Sequence, residues 1–365
     1  MRFFVILIFL FIQTLTITTQ NLEEPELKHN FPTNITEYNY TYHSIPMKQG
    51  NSITCWAYSA VSLLESEVFR MQRKRVNLSE MFIVYYEYIE KAEYFVKTKG
   101  KILIEENSMN NAVIRIIRNH GIVPYREYPG LTEGKEFNDH GKLFEEYKNY
   151  LDLVKKTGLW DQGIVIENVK FILNKHMGTP PENFTVDRNT YTPETYLSEY
   201  LKIRPNNYFN FMSTTEYYYN EKGALIDKGN WRNNNDFYNL NKNDFMYLFH
   251  KSIASGYTAS LCGNYNQAEY DKFAEIVILT PFDISAANID KDIIGKSIDN
   301  HCVHVVGYKE YNGNYWYLVK DSDNNAFAGN NKGYMFYHED YISLKTTNYM
   351  IYVESAREIL DEIIK

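Results

Sequence analysis

The residues best suited to chemistry lie in the segment from Gln49 to Trp56. Cys55 is followed by an aromatic residue and by apolar residues at helical spacing, so we expect it to begin a helix. The free N–H groups and the dipole at a helix N-terminus favour the thiolate, the nucleophilic form of cysteine. Gln49, six residues upstream, could donate its side-chain NH2 to an oxyanion, together with the backbone N–H of Cys55. The segment therefore predicts a thiol nucleophile; a small buried structural cysteine is the alternative.

A thiol nucleophile needs a base, and the base needs a group that orients its ring. His301 precedes an apolar run ending at Tyr308, which we expect to be a strand with the histidine at its mouth. His304 falls on the opposite face of that strand and is expected to be packed or at the surface. Asp321 follows the next expected strand, and a hairpin would place its carboxylate beside His301. The alternative for Asp321 is a solvated turn.

The elements that position these residues change in type along the chain. Hydrophobic periodicity and end signals predict helices at 55–71, 79–99, 108–119 and 243–255, with a charged, partly helical stretch at 134–176. Strands are expected at 257–261, 302–308, 315–320, 334–337 and 349–353. Because helices come first and antiparallel strands last, the sequence predicts an α+β fold with a cleft between two halves.

The N-terminus and the overall charge limit where the protein acts and what it binds. Residues 3–12 are almost purely apolar and follow Arg2, which indicates a signal peptide over residues 1–20 and a secreted or periplasmic protein. An uncleaved N-terminal anchor is the alternative. Since no apolar run reaches about 18 residues, we expect no ordinary membrane-spanning helix. The formal net charge of −8 disfavours nucleic acid as a partner.

The chain has only three cysteines: Cys55, Cys262 and Cys302. A bridge between Cys262 and Cys302 would leave Cys55 free, but nothing in the sequence requires it. No group of cysteines and histidines has the spacing of a structural zinc site. We therefore expect neither a metal nor a cofactor.

The reactive segments together resemble those of papain-like cysteine peptidases. The matching residues are Gln49…Cys55-Trp56, His301…Gly307-Tyr308 and Lys320-Asp321-Ser322. Four further segments resemble the bleomycin hydrolase or aminopeptidase C branch: Leu78 to Phe82, Pro124 to Gly130, Asn230 to Asn233, and Asp236 to Asn239. The resemblance covers essentially everything after residue 45.

The resemblance implies a helical left half and an antiparallel, barrel-like right half with the site between them. It implies Cys55 as nucleophile, His301 as general base and acid, Gln49 as oxyanion donor and Asp321 as the orienting group. The family usually has Asn at position 321 and Trp at position 323, where this chain has Asp321 and Asp323. A carboxylate can still accept the imidazole N–H, and it favours the imidazolium more strongly than an amide does.

The same resemblance divides the chain and suggests its substrates. It implies an N-terminal arm over 21–48, a peptidase domain over 49–353 with an insertion at about 134–240, and a C-terminal arm over 354–365. In the branch, this last arm blocks the cleft, and the enzyme removes N-terminal residues from peptides. The alternatives are an ordinary terminal helix with an endopeptidase cleft, and a binding protein that keeps the fold without catalysis. A homo-hexamer is also implied.

Overall fold

The computed structural model describes residues 31–132, 134, 135, 137–265, 270–279 and 301–363. Residues 32–365 belong to one unit, which contains all the elements below. The expected signal peptide and residues 21–30 of the expected N-terminal arm lie outside the described residues.

Long helices carry the first half of the chain. They are α1 (Cys55–Gln72), α2 (Glu80–Lys97), α3 (Asn110–His120), α4 (Gly141–Thr157) and α5 (Gln162–Met177). Later helices are α6 (Pro193–Thr195), α7 (Lys242–Ala254), α8 (Glu339–Lys345) and α9 (Val353–Ile363). Local signals set the ends of the early helices. The Ser79 hydroxyl accepts the Phe82 N–H at 3.0 Å, and Gly121, at φ 72°, ends α3.

Strands dominate the second half. They are β1 (Asn39–Tyr40), β2 (Phe184–Val186), β3 (Asn189–Tyr191), β4 (Tyr208–Met212), β5 (Glu221–Gly223), β6 (Phe237–Asn239), β7 (Ala259–Gly263), β8 (Tyr270–Asp271), β9 (Ile276–Val277), β10 (His301–Tyr311), β11 (Asn314–Lys320), β12 (Tyr334–His338) and β13 (Thr346–Tyr352). All except the β2–β3 hairpin join one sheet, in the order β5-β6-β4-β13-β7-β10-β11-β12-β9-β8, with β1 also paired to β10.

The α+β fold is confirmed, with one difference in strand direction. Two pairs, β4–β6 and β12–β9, are parallel rather than antiparallel. Between β4 and β6, residues 213–236 pass through β5 and return to the edge of the sheet at which β4 begins. Strand β6 therefore runs in the same direction as β4. The hairpin predicted between β10 and β11 is antiparallel and turns at Asn312 and Gly313, which have φ values of 53° and 82°.

The two faces of the sheet belong to different cores. Alternate strand residues such as Cys262, Cys302 and Met350 pack with α1, α2 and α3. Their neighbours Leu261, Val303 and Tyr349 pack with α7 and α9. Helices α1 and α7 therefore lie on opposite faces of the sheet, which fixes the side on which each chemical group is found.

Helix α9 covers most of the expected C-terminal arm. Its Ala356 and Leu360 are buried in the same core as α7, and its Glu358 forms an ion pair with Lys251 of α7. These residues pack on the sheet face opposite α1.

Candidate active site

Cys55 is the first residue of α1 and only 4% exposed. Thr54 precedes it as the helix cap without a side-chain capping bond, so the first turn keeps backbone N–H groups available. The sulfur is a free thiol. The structure therefore places it where a helix N-terminus stabilises negative charge.

His301 and Asp321 lie side by side, as the expected hairpin requires. His301 begins β10, Asp321 follows β11 directly, and the His301 Nε2 to Asp321 Oδ1 distance is 2.8 Å. The carboxylate is 1% exposed, and the same oxygen accepts the backbone N–H of Asp323 at 2.9 Å. Asp321 is thus a fixed, buried acceptor rather than part of a solvated turn.

The electrostatics of His301 favour its protonated form. Burial alone lowers its pKa, but the negative charges of Asp321 and Cys55, with side-chain hydrogen bonds to both, raise the pKa of His301 well above its ordinary value. Because Asp321 engages Nε2, Nδ1 is the ring nitrogen left for the sulfur. One imidazole therefore connects the thiol to the carboxylate, and the arrangement favours the protonated ring beside the sulfur.

Gln49 is held with its amide in a defined orientation. Its Oε1 accepts the Ser322 hydroxyl at 2.8 Å, and its Nε2 donates to the Ser52 carbonyl at 2.8 Å. The backbone of Gln49 also donates to the Ser322 carbonyl at 2.9 Å. The NH2 group has a second hydrogen, so it can still donate to an oxyanion. Ser322 follows Asp321 in the motif, but the sequence did not indicate that its hydroxyl donates to the Gln49 side chain.

The residue after Gln49 must be glycine. Gly50 has φ +70°, and a Cβ atom there would lie 2.3 Å from the Asn138 carbonyl oxygen. The neighbouring Asn51 N–H donates to that same carbonyl at 2.8 Å. This close contact fixes the turn that leads from Gln49 to Cys55.

The two positions that depart from the family pattern have different roles. Asp323 caps a short 3-10 helix, Asn324–Phe327, by accepting the Asn325 N–H at 2.8 Å. It supplies no aromatic shield, yet Asp321 remains buried. The carboxylate is therefore buried without a tryptophan at position 323.

His304 is packed on the opposite face, as expected, and lies outside the site. It is 1% exposed, and its Nδ1 is 2.8 Å from the Ser62 hydroxyl of α1. Burial, and then the charge of Lys320, lower the pKa of His304 well below its ordinary value. It is a neutral structural residue.

A buried ionic cluster joins α1 to β11 behind the site. The Lys320 ammonium donates to the hydroxyls of Ser44 and Ser62, each at 2.8 Å. Ser44 in turn donates to Glu65, whose other oxygen accepts the Leu78 N–H at 2.8 Å. Burial raises the pKa of Glu65 and lowers that of Lys320. The cluster spans the junction between the helical half and the sheet.

Cys262 and Cys302 form a disulfide, which the sequence had left open. They are directly opposite each other on β7 and β10, and Cys302 adjoins His301. Among the described residues no cluster of three His, Cys, Asp or Glu side chains could hold a metal ion. No helix within the described ranges is long and apolar enough to cross a bilayer.

Sequence comparisons found no matching family model and no matching curated protein. Among solved structures, the chain is similar to PepW from Lactobacillus rhamnosis HN001, with 17% identity and a TM-score of 0.69 over 89% of this chain and 83% of that one. A structure from work on the mite allergens Blo t 1 and Der p 1 aligns with 12% identity over 89% of this chain and 73% of that one. Its TM-score of 0.43 is too low to support an argument.

Proposed function

We propose that this chain, which has the papain-like fold, is a cysteine peptidase that hydrolyses peptide bonds. The Cys55 thiolate attacks the carbonyl carbon, and the Gln49 NH2 and the Cys55 N–H bind the oxyanion. The His301 imidazolium gives its proton to the leaving amine, which departs and leaves a thioester. His301 then removes a proton from water, and the resulting hydroxide cleaves the thioester and frees the thiolate.

One observation supports this proposal above the others: His301 interacts with both Asp321 and Cys55. A structural cysteine needs neither a charged neighbour nor a fixed carboxylate behind that neighbour. The restrained amide of Gln49 adds the oxyanion donor on the Cys55 side.

Labelling with a thiol-reactive epoxide inhibitor tests the proposal. We expect stoichiometric labelling of the wild type at Cys55, none with Cys55→Ala, and slow labelling with His301→Ala because the thiolate loses its partner. Lys148→Ala, in an exposed ion pair, is the matched control. If the wild type binds peptides but is not labelled, the protein is a non-catalytic binding protein and the peptidase proposal is wrong.

We propose further that the enzyme removes N-terminal residues, which the motif resemblance to the aminopeptidase C branch supports. The rival is an endopeptidase, and the packing of α9 on the sheet face opposite α1 favours it, because α9 is then not an arm in the cleft. Deleting residues 354–365 tests whether the C-terminal arm imposes the restriction. Loss of aminopeptidase activity with gain of internal cleavage would support the arm, whereas unchanged cleavage positions would exclude it.

The proposed location is outside the cytoplasm. The Cys262–Cys302 disulfide supports this, since disulfides persist in oxidising compartments. Sequencing the N-terminus of the exported protein should place cleavage near residues 18–20; an unprocessed Met1 would contradict it. A homo-oligomer, up to the hexamer implied by resemblance, is testable by sedimentation equilibrium.

A further inference from the structure

The connection between β5 and β6, residues 224–236, leaves the sheet and crosses to the helices. We call it the strap. Its Trp231 Nε1–H donates to Glu87 of α2 at 2.6 Å, and its Arg232 pairs with Glu90 of α2 at 2.9 Å. Both carboxylates are buried, so these contacts are only slightly screened by solvent. The strap is therefore attached to both halves of the molecule.

The middle of the strap lies on the residues that lead into α3. A Cβ atom at Gly229 would lie 3.0 Å from the Met109 sulfur and from the backbone of Ser108. The Ser108 hydroxyl donates to Glu87 at 2.6 Å, the carboxylate that also holds Trp231. The strap thus lies directly on the start of α3.

The segment that leads into α3 is also bonded to Lys91 of α2. The buried Lys91 ammonium donates to the carbonyls of Glu105 and Asn107 at 2.9 and 2.6 Å. Burial lowers the pKa of Lys91 to about 8. These bonds hold the segment that leads into α3 in place.

The start of α3 is connected through β7 to α1, the helix that begins at Cys55. Asn110, the first residue of α3, donates to the Ser260 carbonyl of β7 at 3.0 Å. The Ser260 hydroxyl also bonds Ser59, which lies one helical turn after Cys55 on the same face of α1. Ser260 is two residues before Cys262, the strand partner of Cys302. Through these bonds the start of α3 is linked to α1 and β7, the elements beside Cys55 and His301, and the strap lies on that start.

We propose that the strap closes the α3 end of the cleft, so that only a few residues of a peptide fit between that end and Cys55. The substrate class is then peptide ends rather than internal segments. This inference rests on the proposed peptidase function, and it assigns the restriction to Trp231 and Arg232 rather than to the C-terminal residues.

Two variants of the full chain test the strap. In one, residues 224–236 are replaced by Asn-Gly, which can close a β-hairpin between β5 and β6. In the other, Arg232→Ala removes one attachment but leaves Glu90 paired with Arg115. Lys148→Ala is the control. Because Cys55 is the one unpaired cysteine, labelling rates with small iodoacetamide and with a bulky polyethylene glycol maleimide report access to it.

We expect the bulky-to-small rate ratio to rise about tenfold in the shortened variant, a change of about 1.4 kcal/mol in activation free energy. Peptides with an acetylated N-terminus and internal bonds should become substrates. Arg232→Ala should change the rate ratio and the cleavage of internal bonds in the same direction, but by a smaller amount. If both variants are folded by circular dichroism and the ratio is unchanged, the strap inference is wrong and the peptidase proposal stands. If iodoacetamide fails to label native wild type that is labelled after denaturation, the peptidase proposal itself is wrong.

Discussion

The carboxylate of Asp321 sets the protonation of His301, the residue to which we assign the acid–base work. An amide at this position, which papain-like peptidases usually have, would accept the same N–H without a negative charge. The charge holds the proton on His301 to higher pH, against the burial of the ring, which by itself lowers the pKa.

The first prediction concerns the pH profile. As pH rises through the raised pKa of His301, the imidazolium is lost, and with it the acid that protonates the leaving amine. The alkaline limb of kcat/KM should therefore lie well above the ordinary imidazole pKa near 6.5. Asp321→Asn should keep activity but move that limb to lower pH. Asp323→Asn is the control, and a limb that moves equally in both variants would contradict this assignment.

The second prediction concerns Gln49. Gln49→Ala removes an oxyanion donor, so kcat should fall by about 10²–10³. Iodoacetamide labelling of Cys55 forms no oxyanion, so its rate should stay near the wild-type value. Stopped-flow turnover and labelling rates provide the two measurements. A parallel loss in both would mean that Gln49 only supports the local fold.

Sequence reasoning placed three of the four candidate side chains from local signals: a helix start for Cys55, a strand mouth for His301 and a strand end for Asp321. Gln49 was chosen by its position six residues before Cys55. It did not predict the role of Ser322, because its bond to Gln49 joins residues far apart in sequence. Contacts of that kind depend on the assembled fold.

At the scale of elements, β10 carries His301, and a disulfide joins β10 to β7 at the next residue, Cys302. The third prediction is that Cys262→Ala with Cys302→Ala lowers the free energy of unfolding by about 2–4 kcal/mol, since the bridge closes a loop of 40 residues. Guanidinium unfolding measures this. Wild type treated with reductant under native conditions is a comparison without substitutions. If the free energy of unfolding of the double variant differs from that of the oxidised wild type by less than the measurement error, the bridge is not stabilising.

Helices α1 to α3 were predictable because caps such as Ser79 and Gly121 act within one turn. The parallel pairing of β4 with β6 was not, because strand direction depends on the path of residues 213–236. Part of that path is held by hydrogen bonds from Trp231 and Arg232 to carboxylates of α2, and no local pattern encodes contacts between residues so far apart in sequence.

At the scale of the whole molecule, the buried cluster around Lys320 joins the two halves. The fourth prediction is that Lys320→Met lowers the free energy of unfolding by about 3–5 kcal/mol, because Glu65 is left buried without its partner charge. Lys148→Met should change it by about 0–1 kcal/mol, since its pair with Asp152 is exposed. Chemical denaturation measures both. Equal effects would mean that the cluster does not hold the halves together.

The Cys262–Cys302 bond also matters while the chain is being made. Three cysteines allow three single pairings, and two of them would consume the nucleophile. A new chain that formed either of those two bonds before β7 and β10 had paired would lack the Cys55 thiol and, under the proposed mechanism, would be inactive. Only the order of events, strand pairing first and oxidation second, keeps Cys55 reduced. The fraction of molecules with a free Cys55 thiol therefore depends on how the preparation was oxidised. Thiol–disulfide isomerisation should convert mispaired molecules to the Cys262–Cys302 form.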